Sequence, residues 1–249
     1  MGRCGVRWSG FGQTAMLRKS VAIVAAMRRE VAPLLRGIRP RQTDGVEFFE
    51  LESAVIAIGG IGRQAAARAT EAVVATYEPN VIVSAGIAGA LTASRNIGDI
   101  VYAREVVDAE SETRFAASDG TAVVLTVSSV SGLAEKQIVA ERWKADVVDM
   151  EAAAVAAVAQ KRGIEFAAIK AISDEVDFVM PPVGEFVDQA GRFQTLRFAI
   201  YIAVRPKWWR AVKQLNSNSR LAAVKLSEAL KHLTDQRSVT APQEHVSGA

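Results

Sequence analysis

The stretch VVDMEAAAV at Val147–Val155 places two carboxylates, Asp149 and Glu151, in one of the most apolar parts of the chain. Two more acids share that setting. In KAISDEVD (Lys170–Asp177), Asp174 follows an apolar run. In AMRREV (Ala26–Val31), Glu30 stands three residues beyond Met27, the last apolar residue of another run. Carboxylates serve as general acids and bases and accept hydrogen bonds from ligand hydroxyls. Each acid also has a plainer reading: Glu151 as a helix-start residue favoured by the helix dipole, Asp174 as a helix N-cap, Glu30 as a solvated first-turn acid. Ligands of open α/β sheets bind at the carboxyl ends of strands, so three acids at three strand ends signal a site better than any one alone.

Other chemistries have little to work with. The two histidines, His232 and His245, lie near the C-terminus, which argues against a Ser-His-Asp or Cys-His triad in the core and against a His-rich metal site. The single cysteine, Cys4, forms no intramolecular disulfide and no CxxC site, and it fits a reducing, cytoplasmic setting. No metal and no cofactor are expected. A net charge of +3 does not suggest a nucleic-acid partner.

Short apolar runs alternate with helical stretches and position these acids. Strands are expected at 20–27, 46–53, 54–60, 80–86, 99–107, 121–129, 145–150 and 166–173, and helices at 62–77, 134–142 and 151–161. Glu165 reads as a turn residue before the last strand. The alternation predicts a single α/β domain, residues 19–233, with helices flanking the sheet. Residues 1–18 read as a disordered leader, with Met16 an alternative start, and 234–249 as a disordered tail. No apolar run is long enough to span a membrane.

Six segments in order resemble the nucleoside phosphorylase/nucleosidase superfamily, in particular methylthioadenosine/S-adenosylhomocysteine nucleosidases. They are AMRREV, the GIG turn at Gly60–Gly62, the AGIAGAL segment at Ala85–Leu91, GDIV at Gly98–Val101, DMEA at Asp149–Ala152 and AISD at Ala171–Asp174. The resemblance covers about residues 20–178 and implies a central mixed, partly barrel-like sheet, a purine nucleoside substrate and cleavage of its C1′–N9 bond. It implies that Asp174 is the general acid to purine N7, that Glu30 is the base orienting the attacking water, and that Glu151 binds the ribose hydroxyls with Met150 packed under the sugar. Met27, Ile87, Ala88, Gly89, Ser173 and Phe178 are implied as further substrate contacts, and Asp149 is given no role. A dimer is the implied assembly.

Two departures matter. Ile87 stands where the family loop carries Ser. Arg28 and Arg29 stand where nucleosidases often carry acids, and two cations there could bind phosphate and favour phosphorolysis, or be solvated surface charges.

From Gly191 to Ser227 there is no acid, while Arg192, Arg197, Arg205, Lys207, Arg210, Lys213, Arg220 and Lys225 are interleaved with aromatic and aliphatic residues. This extension, 191–233, reads either as an interfacial segment making peripheral membrane contact through 191–215 or as an extra helix docked on the core or a dimer interface. Together with the VDMEAAAVA and SDEVDFVMPPVGEF wording and Ile87, it resembles the hopanoid-associated branch of the superfamily. That resemblance implies release of adenine from adenosylhopane, a lipid-linked nucleoside. Methylthioadenosine, S-adenosylhomocysteine and futalosine are the alternative substrates, and a non-catalytic nucleoside-binding module is the alternative class.

Overall fold

The β-branched apolar runs become the strands of one mixed sheet, in a computed structural model that describes residues 19–118, 120–128 and 133–234, without the side chains of Leu133 and His232. The expected leader lies outside the described residues. So does the expected tail, except Thr234, the last residue of a long helix.

In chain order the strands are β1 (Val21–Ala25), β2 (Arg41–Thr43), β3 (Val46–Glu50), β4 (Ala54–Ile58), β5 (Val81–Ala90), β6 (Ile100–Asp108), β7 (Arg114–Ala116), β8 (Ala122–Thr126), β9 (Val147–Asp149) and β10 (Glu165–Asp174). The helices are α1 (Arg63–Tyr77), α2 (Leu133–Trp143), α3 (Ala152–Arg162), α4 (Thr195–Ala203) and α5 (Trp209–Thr234). Glu165, read as a turn residue, is instead the first residue of β10, where it pairs with Val81.

The sheet runs β10-β6-β8-β9-β5-β1-β4-β3-β2. A further parallel pairing of β10 with β5 closes β5, β10, β6, β8 and β9 into a five-stranded barrel-like ring. β5 is the hub of the ring. Its first half pairs with β1, its last two residues pair antiparallel with β9, and β10 runs beside nearly all of it. Glu30 follows β1, Glu151 follows β9 and Asp174 ends β10, so all three acids come from neighbours of one strand.

The sequence places a loop after Gly86, yet β5 continues to Ala90. Hydrogen-bonded partners on both sides hold this glycine-containing stretch extended, which outweighs the weak strand preference of glycine.

One core lies between the sheet and the alanine-rich helices. α1 turns Ala65, Ala66, Ala69 and Val73 inward, and α3 turns in Ala152, Val155, Ala156 and Ala159. Gly163, at φ 66°, ends α3 in the left-handed region that glycine enters without strain. A second core covers the opposite side, where Ala222, Leu226 and Leu230 of α5 pack with Ile23, Ile56, Val83 and Ile169. The spacing of four puts those three residues on one helix face.

Candidate active site

A cavity of about 610 Å³ opens at the carboxyl end of β1 and the ends of β9 and β10, within the ~300–1,000 Å³ range of small-molecule sites. It brings together Met27, Glu30, Ile87, Ala88, Gly89, Met150, Glu151, Ser173 and Asp174 from four separate segments. Phe178 does not line it. The chain turns at 175–178, with the Phe178 N–H donating to the Glu175 carbonyl at 3.1 Å, and Met180 reaches the wall instead.

Glu30 is buried, not solvated. Its single helical turn folds the side chain back so that Oε2 accepts the N–H groups of Ala26 and Met27, each at 3.1 Å. Burial pushes its pKa up, against those two donors and the charge of Lys170.

Glu151 occupies the N-cap position of α3 but does not cap it. Its Oε1 accepts the Gly62 N–H at 2.7 Å, and Gly62 reaches it from a turn with φ 90°. Capping falls to neighbours: Asp149 Oδ2 accepts the Ala152 N–H at 3.0 Å, and Thr126 Oγ1 accepts that of Ala153 at 3.0 Å. Burial, with the Asp149 charge beside it, pushes Glu151 up to about 7.

Asp174 sits at an irregularity. β10 pairs Ile172 with Ala88 but Asp174 with Gly89, so two steps on one strand face one on the other. A bulge of this kind re-aims a side chain, and here Asp174 lies against the backbone of β5. A Cβ on Gly89 would come within 2.8 Å of Asp174 Oδ2, so only glycine leaves the acid its place. Ser173 Oγ donates to Asp174 Oδ1 at 2.8 Å.

Two buried lysines complete the cluster. Lys136, from α2, lines the cavity and ion-pairs with Asp174 Oδ2 at 2.6 Å, also donating to the Glu175 carbonyl at 3.0 Å. Lys170, on β10, ion-pairs with Asp149 at 2.7 Å and donates to Ser84 Oγ at 3.0 Å. Burial opposes the Lys170 charge, but Asp149, Glu151 and Glu30 together raise its pKa. Asp149, which was given no role, is thus the anchor that orients Lys170 and starts α3.

Lys170 left a trace in the sequence, a lone cation inside the apolar run FAAIKAIS. Lys136 left none, because AEKQIVAERW reads as an ordinary solvated helix. Glu30, Asp149, Glu151 and Asp174 stand among Lys136 and Lys170, and Arg29 and Lys213 also line the cavity, so the site gathers charges of both signs. A carboxylate held beside a reacting centre stabilises a cation that develops there.

The arginines divide. Arg28 donates twice to Glu47 and lies over the Phe49 ring. Arg63 pairs with Asp108 and Glu110. Burial works against the Asp108 charge, but Arg63 and nearby backbone donors hold it at about 2. Arg29 alone of the three lines the cavity.

Beyond the acids the cavity becomes apolar. Phe193, Phe198 and Ile202 of the α4 region face Trp209, Val212 and Leu215 of α5 across it. The Trp209 Nε1–H donates to the Ile202 carbonyl at 2.8 Å, tying the two helices at their junction.

The comparisons with known proteins agree with this architecture. A curated 5′-methylthioadenosine/S-adenosylhomocysteine nucleosidase of Actinobacillus succinogenes is 29% identical over 199 residues, 63% of this chain and 86% of that protein. Among solved structures, a nucleosidase of the same name from Helicobacter pylori matches with a TM-score of 0.64 at 18% identity, covering 87% of this chain and 99% of that one. The futalosine hydrolase of Helicobacter pylori matches with a TM-score of 0.63 at 19% identity, again over 87% and 99%. At such identities the structures speak for the fold. The family model described as the phosphorylase superfamily matches residues 20–130 and 115–203, and with most of the chain so covered, the protein belongs to that superfamily.

Proposed function

We propose that the protein cleaves the C1′–N9 bond of a purine nucleoside whose 5′ position carries a long apolar group, releasing adenine from adenosylhopane. The observation that supports this reading is the continuity of the cavity. It runs from Glu30, Glu151 and Asp174 straight into the apolar walls of α4 and α5.

In this reading the ribose lies over Met150 with its hydroxyls on Glu151, and the base lies toward Asp174. As the C1′–N9 bond breaks, the sugar becomes an oxocarbenium-like cation, as in other glycoside cleavages. Carboxylate charge beside the sugar favours that state over the neutral substrate. Asp174, drawing on the Lys136 ammonium, delivers a proton to N7, so the base leaves neutral. Glu30 orients a water and takes its proton as the water adds to C1′. Hydrolysis is preferred to phosphorolysis because Arg28 and Arg63 already bind carboxylates, leaving Arg29 as the cavity arginine.

Sequence kinship with the Actinobacillus succinogenes enzyme favours a second reading, in which methylthioadenosine or S-adenosylhomocysteine is the substrate. The deciding experiment offers the protein adenosylhopane in detergent, methylthioadenosine, S-adenosylhomocysteine and futalosine, with and without phosphate. Free adenine from adenosylhopane in phosphate-free buffer, with kcat/KM at least ten times that on the other nucleosides, is the expected result. Higher kcat/KM on methylthioadenosine overturns the lipid substrate, and a ribose 1-phosphate product overturns hydrolysis.

A further inference from the structure

The segment that roofs the cavity has a second face. At about 100° per residue, Thr195, Phe198 and Ile202 of α4 fall together on one side and line the cavity. Leu196, Ile200 and the C-cap residue Val204 fall on the opposite side and are 75%, 60% and 70% exposed. A helix of a folded domain ordinarily turns one apolar stripe to its core and a polar one to water. α4 is apolar on both.

The surroundings say what would cover the outer stripe. Arg197 flanks it one residue from Leu196, and Lys207 and Arg210 follow in the exposed junction to α5. Arg197 donates to Gln194, Lys207 lies over the Trp208 ring, and among the described residues none of the three is ion-paired to a carboxylate. No acid occurs from Gly191 to Ser227 to neutralise them. Trp209, 55% exposed, adds an aromatic edge of the kind that settles at a water–lipid boundary. No helix among the described residues is long and apolar enough to cross a membrane.

We infer that α4 and the junction after it are a docking surface for an anionic lipid bilayer. Leu196, Ile200 and Val204 enter the headgroup–acyl boundary, and Arg197, Lys207 and Arg210 engage the headgroups. The inner side of the docked helix is then the wall of the cavity. The inference does not rest on the substrate reading, since it concerns the outer face alone and is measured without nucleoside.

The test is co-sedimentation of the full chain with vesicles of phosphatidylglycerol and phosphatidylcholine, and of phosphatidylcholine alone. Two variants accompany it, Leu196→Ser/Ile200→Ser/Val204→Ser and Arg197→Gln/Lys207→Gln/Arg210→Gln, with sedimentation velocity in the absence of lipid. The wild type is expected on anionic vesicles, with binding that falls as salt is added. The apolar variant is expected to lose at least tenfold in partitioning and the charge variant about 100-fold, at roughly one decade or less per cation. Both variants are expected to keep wild-type turnover of a water-soluble nucleoside, which also reports that they fold. Failure of the wild type to bind anionic vesicles overturns the inference. So does a wild-type dimer that the apolar variant converts to monomer while vesicle binding is unchanged, which would assign the stripe to a second copy of the chain.

Discussion

Of the residues in the proposed chemistry, Lys136 and Glu151 are the most open to test one at a time. A buried ion pair such as Lys136–Asp174 is weak evidence for stability, because desolvation offsets much of its attraction. Its position on the cavity wall points to a chemical use. Lys136→Ala is expected to lower kcat by about 10²–10⁴-fold, the range of general acid catalysis, with a smaller change in KM. Added ethylamine, which can refill the vacated space with an ammonium, is expected to restore part of the rate, and its failure to do so would reduce Lys136 to a structural counter-ion. Glu151 makes a pH-dependent statement about stability. Its carboxyl is raised from 4.5 to about 7 in the folded chain, by burial first and Asp149 second. The folded state therefore holds the proton more tightly than the unfolded one. The stabilising contribution is complete below about 4.5 and is lost as pH rises through about 7. Glu151→Gln removes that dependence. Denaturant unfolding of the free protein should show the variant gaining on the wild type between about pH 5 and about pH 8.

Among the elements, β5 and β10 do most to build the site. The irregularity at Ile172–Asp174 would be harmless on a strand facing bulky residues, but opposite Gly89 it makes room for a carboxylate. Gly89→Ala tests this. The new Cβ would stand 2.8 Å from Asp174 Oδ2, and the strand is paired on both sides, so the acid must move. Turnover is expected to fall at least 100-fold, in line with the sensitivity of catalysis to shifts of about 1 Å. The fold should survive, with thermal unfolding still cooperative. An alanine variant with normal kcat would show that the position of Asp174 is not set by this contact.

For the molecule as a whole, the C-terminal extension is two structures. Its second half, through Ala222, Leu226 and Leu230, closes the second core against β1, β5 and β10. Its first half roofs the cavity and faces outward. Leu226→Ala should destabilise the entire chain by about 2–5 kcal/mol, since a buried leucine is lost and a cavity remains. The Leu196, Ile200 and Val204 substitutions, at exposed positions, should change stability by about 0.5 kcal/mol or less each. Parallel denaturation curves check both, and similar losses in the two sets would mean that the roof is also core.

The sequence by itself determined the ring of acids and most of the elements. Apolar runs rich in β-branched residues have no stable place but a buried strand, and alanine-rich stretches ended by Gly163 or Pro79 read as helices without tertiary help. Acids just past such runs stand at strand ends whatever the fold, so Glu30, Glu151 and Asp174 were legible from composition and position. The closure of the sheet was not, because the pairing of β10 with β5 joins residues more than eighty apart in the chain, and nothing local encodes it. The extent of β5 through its glycines and the aim of Asp174 follow from that closure. Lys136 shows the limit most plainly. On its own helix it is one more polar residue, and only the tertiary fold buries its ammonium against Asp174 at the end of β10.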